Sequence, residues 1–509
     1  MTADDSDRRG VWLAVLGAAL AAVAATVSAL ATLAHSKTWV YLPLLAGVGI
    51  VLGVLAITRF AGFVYLLLLT RTGLDLLKLS GPAAGNTNTN SAVSRGLDPS
   101  TLAGVLFVIA GVLWLLAQYS AGGRPPRSRL GVAWLAVVGA GALSLFGSQA
   151  PLVSLIGLTR IVAVAVMFLV MEQLIHDTTS MRRALVVAFC SLVIPLAYTA
   201  FGFVIGHPAA DVKSSFVRIT GPFTQSTTLA RYLAFMLVFG IAILPYVKGR
   251  LRVVLLGGLG LSGVFLLLTL TRGALLATAL GLVGIALVQR RWKLLLSLGA
   301  TALLALVLVP GLGSRLDAVT QERAVGQAPN SNSLQWRLSY WAETLPLANR
   351  NPVNGIGVDM TQYKTDVAKQ PHNDFIKAYV ETGLLGLAAY LFLCWQLVAI
   401  GIRAVAVTAK DTCERGVAVG YLACSCMFVL QSVAANVISS VVVLWYLAVF
   451  AGAALAVTRM ANRSPSPSPS LVALSGDVTD PRLYTLPGRT PAFAPVSRIP
   501  SDPRPQEMS

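Results

Sequence analysis

The feature that most constrains this chain is a recurrence of apolar stretches, each about as long as a bilayer-spanning helix, from Val11 to the neighbourhood of Val457. A hydrocarbon core takes roughly 20 apolar residues per helix, and about 12–14 such stretches can be counted. They are long Leu/Ala/Val/Gly runs, unlike the short alternating segments of a β-barrel, and a helix satisfies its backbone polar groups internally, as lipid requires. Composition agrees: the chain is 56% hydrophobic and 12% charged, roughly half the charge of a globular chain, so a soluble core could not hide its apolar surface. The expected fold class is all-α: a polytopic integral membrane protein of about 12–14 transmembrane helices with one large extracytoplasmic loop.

A net charge of +18 would point a soluble protein toward nucleic acid. Here most Lys and Arg fall in short loops between spans, the mark of cytoplasmic loops, and no nucleic-acid partner is expected. With the N-terminus inside, on the strength of Arg8 and Arg9, alternation places Arg124, Arg127, Arg129, Arg182, Arg183, residues 248–252 and 290–293, Arg403, Lys410, Arg459 and Arg463 on the cytoplasmic side. The expected location is the inner (cytoplasmic) membrane. Residues 59–78 fit least well, because Arg71, Asp75 and Lys78 interrupt a short apolar stretch; a broken or tilted helix is expected there. The five cysteines imply no disulfide framework or zinc site. The first apolar run reads as a first helix and not as a removable signal, and the Pro/Ser repeat from Arg463 reads as the start of a disordered cytoplasmic tail. The expected organisation is N-terminal transmembrane helices over 1–206, a core over 207–402 with an outer loop at 313–372, C-terminal helices over 403–460, and the tail over 461–509.

Four segments are sent outward: residues 85–94, 207–226, the tight turn 271–273, and the longest, 313–372. Long extra-membrane loops in an otherwise economical chain usually carry function. These loops also hold Arg218, Arg315, Arg323, Arg337 and Arg350, with Arg272 in the tight turn, against the topological preference for cytoplasmic arginine. A guanidinium holds phosphate through two parallel hydrogen bonds and keeps its charge at any physiological pH. Arg272 in LTLTRGALLA sits where two helices meet at the depth of a lipid diphosphate; at this point a phosphate ligand and a snorkelling helix anchor fit it equally. Of four histidines, His372 in KQPHNDF lies where the long loop re-enters the membrane. It suits a general base beside an arginine cluster, or an incidental place in a capping loop. Pro371 fixes the approach, and Asn373 is placed to cap the following helix. His207 is a weaker candidate, His35 ends a helix, and His176 faces inward. Arg160, Arg71 with Asp75, and Glu381 are ionisable groups at membrane depth that call for partners. With no Walker motif, HExxH, nucleophile elbow or outer-loop DxD pair, a site without metal or cofactor is expected.

Four segments in order, RITGPFTQSTTLARYLAF, LTLTRGALLA, WRLSYWAETLPLANRNPVNGIG and PHNDFIKAYVETGLLG, resemble the O-antigen ligase and O-antigen polymerase group of bacterial glycan-assembling membrane proteins. The last two are the more specific: an Arg and a Trp before NP..G.G, then PHN before E.G..G. The resemblance covers residues 218–386, and the helices on either side match only in character. It implies a membrane-embedded, GT-C-like, metal-independent glycosyltransferase. Such an enzyme transfers a glycan from a polyprenyl diphosphate-linked donor to an acceptor hydroxyl on a glycan, lipid or protein, with its active site on the extracytoplasmic face. Carried onto this sequence, it makes Arg272 and Arg337 ligands of the donor diphosphate with Arg218 assisting, His372 the residue that activates the acceptor, and Trp341, Asn373 and Glu381 supporting residues. The sequence departs from the group in having TRG where many members have SRG, and TQSTT where many have Asn-Pro-Asn. The competing reading is a transporter or flippase of lipid-linked glycans, which needs access from both faces.

Overall fold

The computed structural model describes residues 37–77, 99–120, 128–213, 216–308, 334–365 and 370–463; the first apolar run, the 85–94 loop, Arg315, Arg323 and all of the expected 461–509 tail after Arg463 lie outside them. The described helices pack into one unit within Met1–Asn462. In chain order they are α1 (Lys37–Thr58), α2 (Phe60–Thr70), α3 (Pro99–Ser120), α4 (Arg129–Ser144), α5 (Pro151–Leu174), α6 (Thr178–Cys190), α7 (Val193–Val204), α8 (Ser226–Ile243), α9 (Gly249–Leu268), α10 (Arg272–Val288), α11 (Trp292–Leu308), α12 (Leu334–Thr344), α13 (Thr361–Lys364), α14 (Asp374–Val407), α15 (Cys413–Ser432) and α16 (Val441–Arg463). The only strands among the described residues are β1 (Ala210–Lys213) and β2 (Phe216–Ile219), an antiparallel hairpin in the 207–226 loop. The protein is a polytopic all-α membrane protein: nine helical segments among the described residues are long and apolar enough to cross a bilayer, and three shorter apolar helices accompany them.

The apolar runs sort by position. In α16, 83% of the apolar window is buried, against 22% in α9 and 11% in α3, so α16 is a central helix hydrophobic all round, while α3 and α9 turn most of their surface to lipid. The stretch expected to be broken by Arg71, Asp75 and Lys78 ends its helix at Thr70, just before Arg71, and a second interruption that was not expected falls at Arg59, where α1 stops at Thr58 and α2 starts at Phe60. Beyond α2, Arg71 pairs with Asp75 at 3.5 Å and lies over the Trp445 ring at 5.8 Å.

The longest helix, α14, is interrupted at Gly383, where φ is 67° and ψ −165°, a region open essentially to glycine alone. The break strands backbone groups on both halves, and the NPVNGIG turn supplies their partners. Ile356 N donates to Val380 O at 3.1 Å and Gly357 N to Glu381 O at 3.0 Å, while Leu384 N donates to Pro352 O at 2.9 Å and Leu385 N to Val353 O at 3.2 Å. Gly355, at φ 75°, lets this backbone approach: a Cβ there would stand 2.3 Å from the Glu381 carbonyl. The two glycine-bearing motifs are thus the two halves of one joint. The joint fixes the loop between α12 and α14 against α14 itself.

The termini of α8, α9, α10, α14, α15 and α16 alternate in kind. One end of each meets the turns described below; the other carries Lys248, Arg250, Arg252, Arg290, Arg291, Arg403, Lys410, Arg415 or Arg459. Arg459 donates to the carbonyls of Glu172 and Ile175, at 2.8 Å each, at the C-terminus of α5, where a cation suits the helix dipole.

Candidate functional site

The site is built first around the turn between α9 and α10. Helix α9 ends at Leu268, Leu270 takes the left-handed conformation at φ 49°, and Thr271 is the N-cap of α10, whose first residue is Arg272. Arg218 reaches this turn from β2. Its Nε donates to Thr269 O at 2.9 Å and its Nη2 to Thr271 Oγ1 at 2.7 Å. Arg218 is buried and faces Asp211 across the hairpin register, and Asp211 in turn accepts from Ser226 Oγ at 3.1 Å. Two of the Arg218 nitrogens are therefore spent on holding the turn that presents Arg272. The Thr271 hydroxyl is one of their acceptors, which gives a physical reason for a hydroxyl before the Arg in both TRG and SRG.

Arg272 is half-buried at the N-terminus of α10, where the helix dipole adds positive potential. Arg337, on α12, has an Nε that is buried and has no hydrogen-bond partner among the described residues. Burial lowers the Arg337 pKa from its ordinary value and the like charge of Arg272 lowers it further. For Arg218 burial also lowers the pKa; Asp211 opposes this and Arg272 adds to it. Arg272 is thus close enough to be felt by both neighbours, and Asp211 is the one acid among these influences. Arg272 therefore lies within electrostatic reach of two partly buried guanidiniums, Arg218 and Arg337, and an excess of positive charge of this kind suits an anion.

Trp341 lies one turn after Arg337 on α12, so the two share a face. Its indole Nε1 donates to Pro371 O at 2.6 Å, tying that face to the residue before His372. His372 itself is half-buried and left-handed, at φ 52°. A non-glycine residue persists there only when its surroundings over-determine it. Asn373 caps α14 as expected, its Oδ1 accepting from Phe375 N at 2.9 Å and Ile376 N at 3.1 Å.

Glu381 does not join the arginines. It is buried with Lys377 and Asp359: Lys377 Nζ stands 2.6 Å from Asp359 Oδ1 and 2.9 Å from Glu381 Oε2, and Asp359 N donates to Glu381 Oε2 at 2.8 Å. Arg160 reaches Asp359 Oδ2 at 3.4 Å, so both of these membrane-depth charges have the partners they called for. Burial raises the Asp359 carboxyl pKa, but the charge of Lys377, its hydrogen bond and Arg160 outweigh this and hold it below the ordinary value. Gln370 Nε2 also donates to Asp359 Oδ1 at 3.2 Å, so the cluster grips the start of the His372 turn. Arg350 and His207 are exposed, and His176 lies at the α5–α6 turn beside Asp177; none joins the arginine group. His35 lies outside the described residues.

Sequence reasoning missed Asp359, Gln370, Lys377, Asp374, Asn436 and Arg231. Only Lys377 left a local signal, standing four residues before Glu381 on the same helix face. Residues 257–391 match a family model described as O-antigen ligase, whereas a search of curated proteins finds no match. The match bears out the resemblance read from the motifs. It includes Arg272, Arg337, Trp341, His372 and Glu381; Arg218 lies before it.

Proposed function

We propose that this O-antigen ligase-like membrane enzyme transfers a glycan from a polyprenyl diphosphate-linked donor to an acceptor hydroxyl at the extracytoplasmic face of the cytoplasmic membrane. The observation that carries the reading is the set of guanidiniums of Arg218, Arg272 and Arg337, with an Arg337 Nε that is buried and has no hydrogen-bond partner among the described residues. Arg272 and Arg337 take the diphosphate, and Arg218 holds the turn that aims Arg272. The acceptor oxygen attacks the anomeric carbon, the bond from that carbon to the diphosphate oxygen breaks, and the polyprenyl diphosphate leaves as an anion. Fixed guanidiniums in a shielded site stabilise that growing charge, the largest contribution available here, so we propose a metal-independent reaction. His372 accepts the hydroxyl proton, contributing a factor of about 10²–10⁴. The catalytic core is residues 207–402, flanked by the helices of 1–206 and 403–460.

The alternation of basic and site-bearing helix ends supports an extracytoplasmic site, since basic ends stay in the cytoplasm. It also favours an enzyme over a flippase, because a flippase needs a headgroup site reachable from both ends. The test uses purified full-length protein with lipid-linked glycan extracted from the source membrane, envelope extract as acceptor, and EDTA present or absent. We expect polyprenyl diphosphate release and a transferred glycan in both conditions. Arg272→Ala and Arg337→Ala should each lose about 10²–10³-fold in transfer while remaining folded; His372→Ala should lose turnover and keep donor binding. Full transfer by both arginine variants would remove the argument.

A further inference from the structure

His372 sits in the middle of a five-residue turn whose two flanks are held by one and the same segment. On one flank, Asn436 Nδ2 donates to Gln370 Oε1 at 3.0 Å. On the other, the amides of Val437 and Ile438 donate to Asp374 Oδ2 at 2.8 and 3.0 Å, and Tyr390 OH reaches the same oxygen at 3.1 Å. Asn436 and Asp374 are 8% and 1% exposed, so these bonds are made away from water, where geometry is held most firmly. The segment has its own anchor. Arg231, one turn into α8, donates from Nη1 to Ser440 Oγ at 2.8 Å and to Asn436 O at 3.4 Å, and Ser440 N closes the turn on Val437 O at 2.8 Å. Arg231 and residues 436–440 lie outside the stretch matched by the O-antigen ligase model.

We propose that the 436–438 turn between α15 and α16 is a positioning element for His372. Gripping residues two before and two after the histidine, it keeps the left-handed conformation in place and sets the direction from which the imidazole meets the acceptor hydroxyl. It makes no contact with the diphosphate. The proposal rests on His372 acting as the base. Since a misplacement of about 1 Å in a reacting group costs on the order of 10²-fold, loosening either flank should slow the proton-accepting step and leave donor affinity alone.

The experiment measures two quantities on purified full-length protein: binding of geranylgeranyl diphosphate as the donor-headgroup probe, and turnover on extracted lipid-linked glycan across pH. We expect Asn436→Ala and Asp374→Ala to lower turnover about 10- to 100-fold, with probe affinity within about twofold of wild type. Asp374→Asn keeps an oxygen for the Val437 and Ile438 amides and should recover most of the loss without shifting the pH profile. Wild-type turnover in Asn436→Ala, parallel loss of probe binding and turnover, or failure of Asp374→Asn to rescue would each overturn the positioning role. Wild-type turnover in His372→Ala would instead overturn the base assignment, and the proposal with it.

Discussion

The joint at Gly383 offers the sharpest quantitative test of the fold. Replacing Gly383 with Ala puts a Cβ 2.3 Å from the carbonyl carbon and oxygen of Val353, both backbone atoms, so the turn itself must move. An L side chain in this region of backbone space costs about 1–3 kcal/mol. Moving the turn also weakens the four backbone hydrogen bonds that join residues 352–357 to the two halves of α14, each worth about 1 kcal/mol. Losing half to all of them brings the total to roughly 3–7 kcal/mol. The control is Gly139→Ala: that glycine lies inside α4 with open space around it, where Ala is neutral or stabilising by up to about 1 kcal/mol. Purified variants would be compared by thermal unfolding in detergent, followed by intrinsic fluorescence and by gel-filtration profile. Gly383→Ala should unfold well below wild type and lose lipid-diphosphate binding as the loop detaches, while Gly139→Ala should match wild type. Coincident unfolding of all three would refute the assignment of the NPVNGIG and ETG motifs to one interlocked joint.

Two further outcomes follow from the site. Thr271→Val removes the acceptor for Arg218 Nη2, a charge-assisted bond worth about 1.5–3 kcal/mol, and should weaken geranylgeranyl diphosphate binding about tenfold, whereas Thr271→Ser should bind as wild type; calorimetric titration checks both. Because the native Asp359 carboxyl pKa is held below its ordinary value, its ion pair with Lys377 adds stability that is fully present above the unfolded pKa of about 3.9 and is lost as pH falls through the lower native value. Asp359→Asn should therefore be less stable than wild type at neutral pH, the difference shrinking in strong acid; a constant difference from neutral pH to pH 2 would contradict the pairing.

The helical membrane class was legible because lipid leaves few ways to satisfy a backbone, and the long apolar runs declare that choice directly. The helix end before Arg71, the Arg71–Asp75 pair and the Asn373 cap were legible for a related reason: each is decided by residues within a few positions. Glu381 and Arg160 announced a need for partners but not which ones, since Asp359 lies 199 residues from Arg160 and only folding joins them. The β1–β2 hairpin was not foreseen in the 207–226 loop, where two four-residue strands leave too short a pattern to register. The grip of residues 436–438 on the His372 turn was invisible for another reason. Backbone amides do most of the holding, and any residue but proline could supply them.

The interruption of α14 also bears on which part of the chain has to satisfy the bilayer. After Gly383 the helix runs on from Leu384 to Val407, about 36 Å at 1.5 Å per residue, which by itself exceeds a hydrocarbon core of roughly 30 Å. The apolar second half is therefore long enough to span the bilayer on its own, and Asp374, Lys377 and Glu381, which lie before the break, need not sit in hydrocarbon. Those three residues belong to a short ramp whose partners come from other segments: Asp359 for Lys377, the Asp359 amide for Glu381, and the amides of Val437 and Ile438 for Asp374. The part of the helix that answers to lipid and the part that answers to the charged cluster are thus separate pieces, with a single glycine marking the boundary between them.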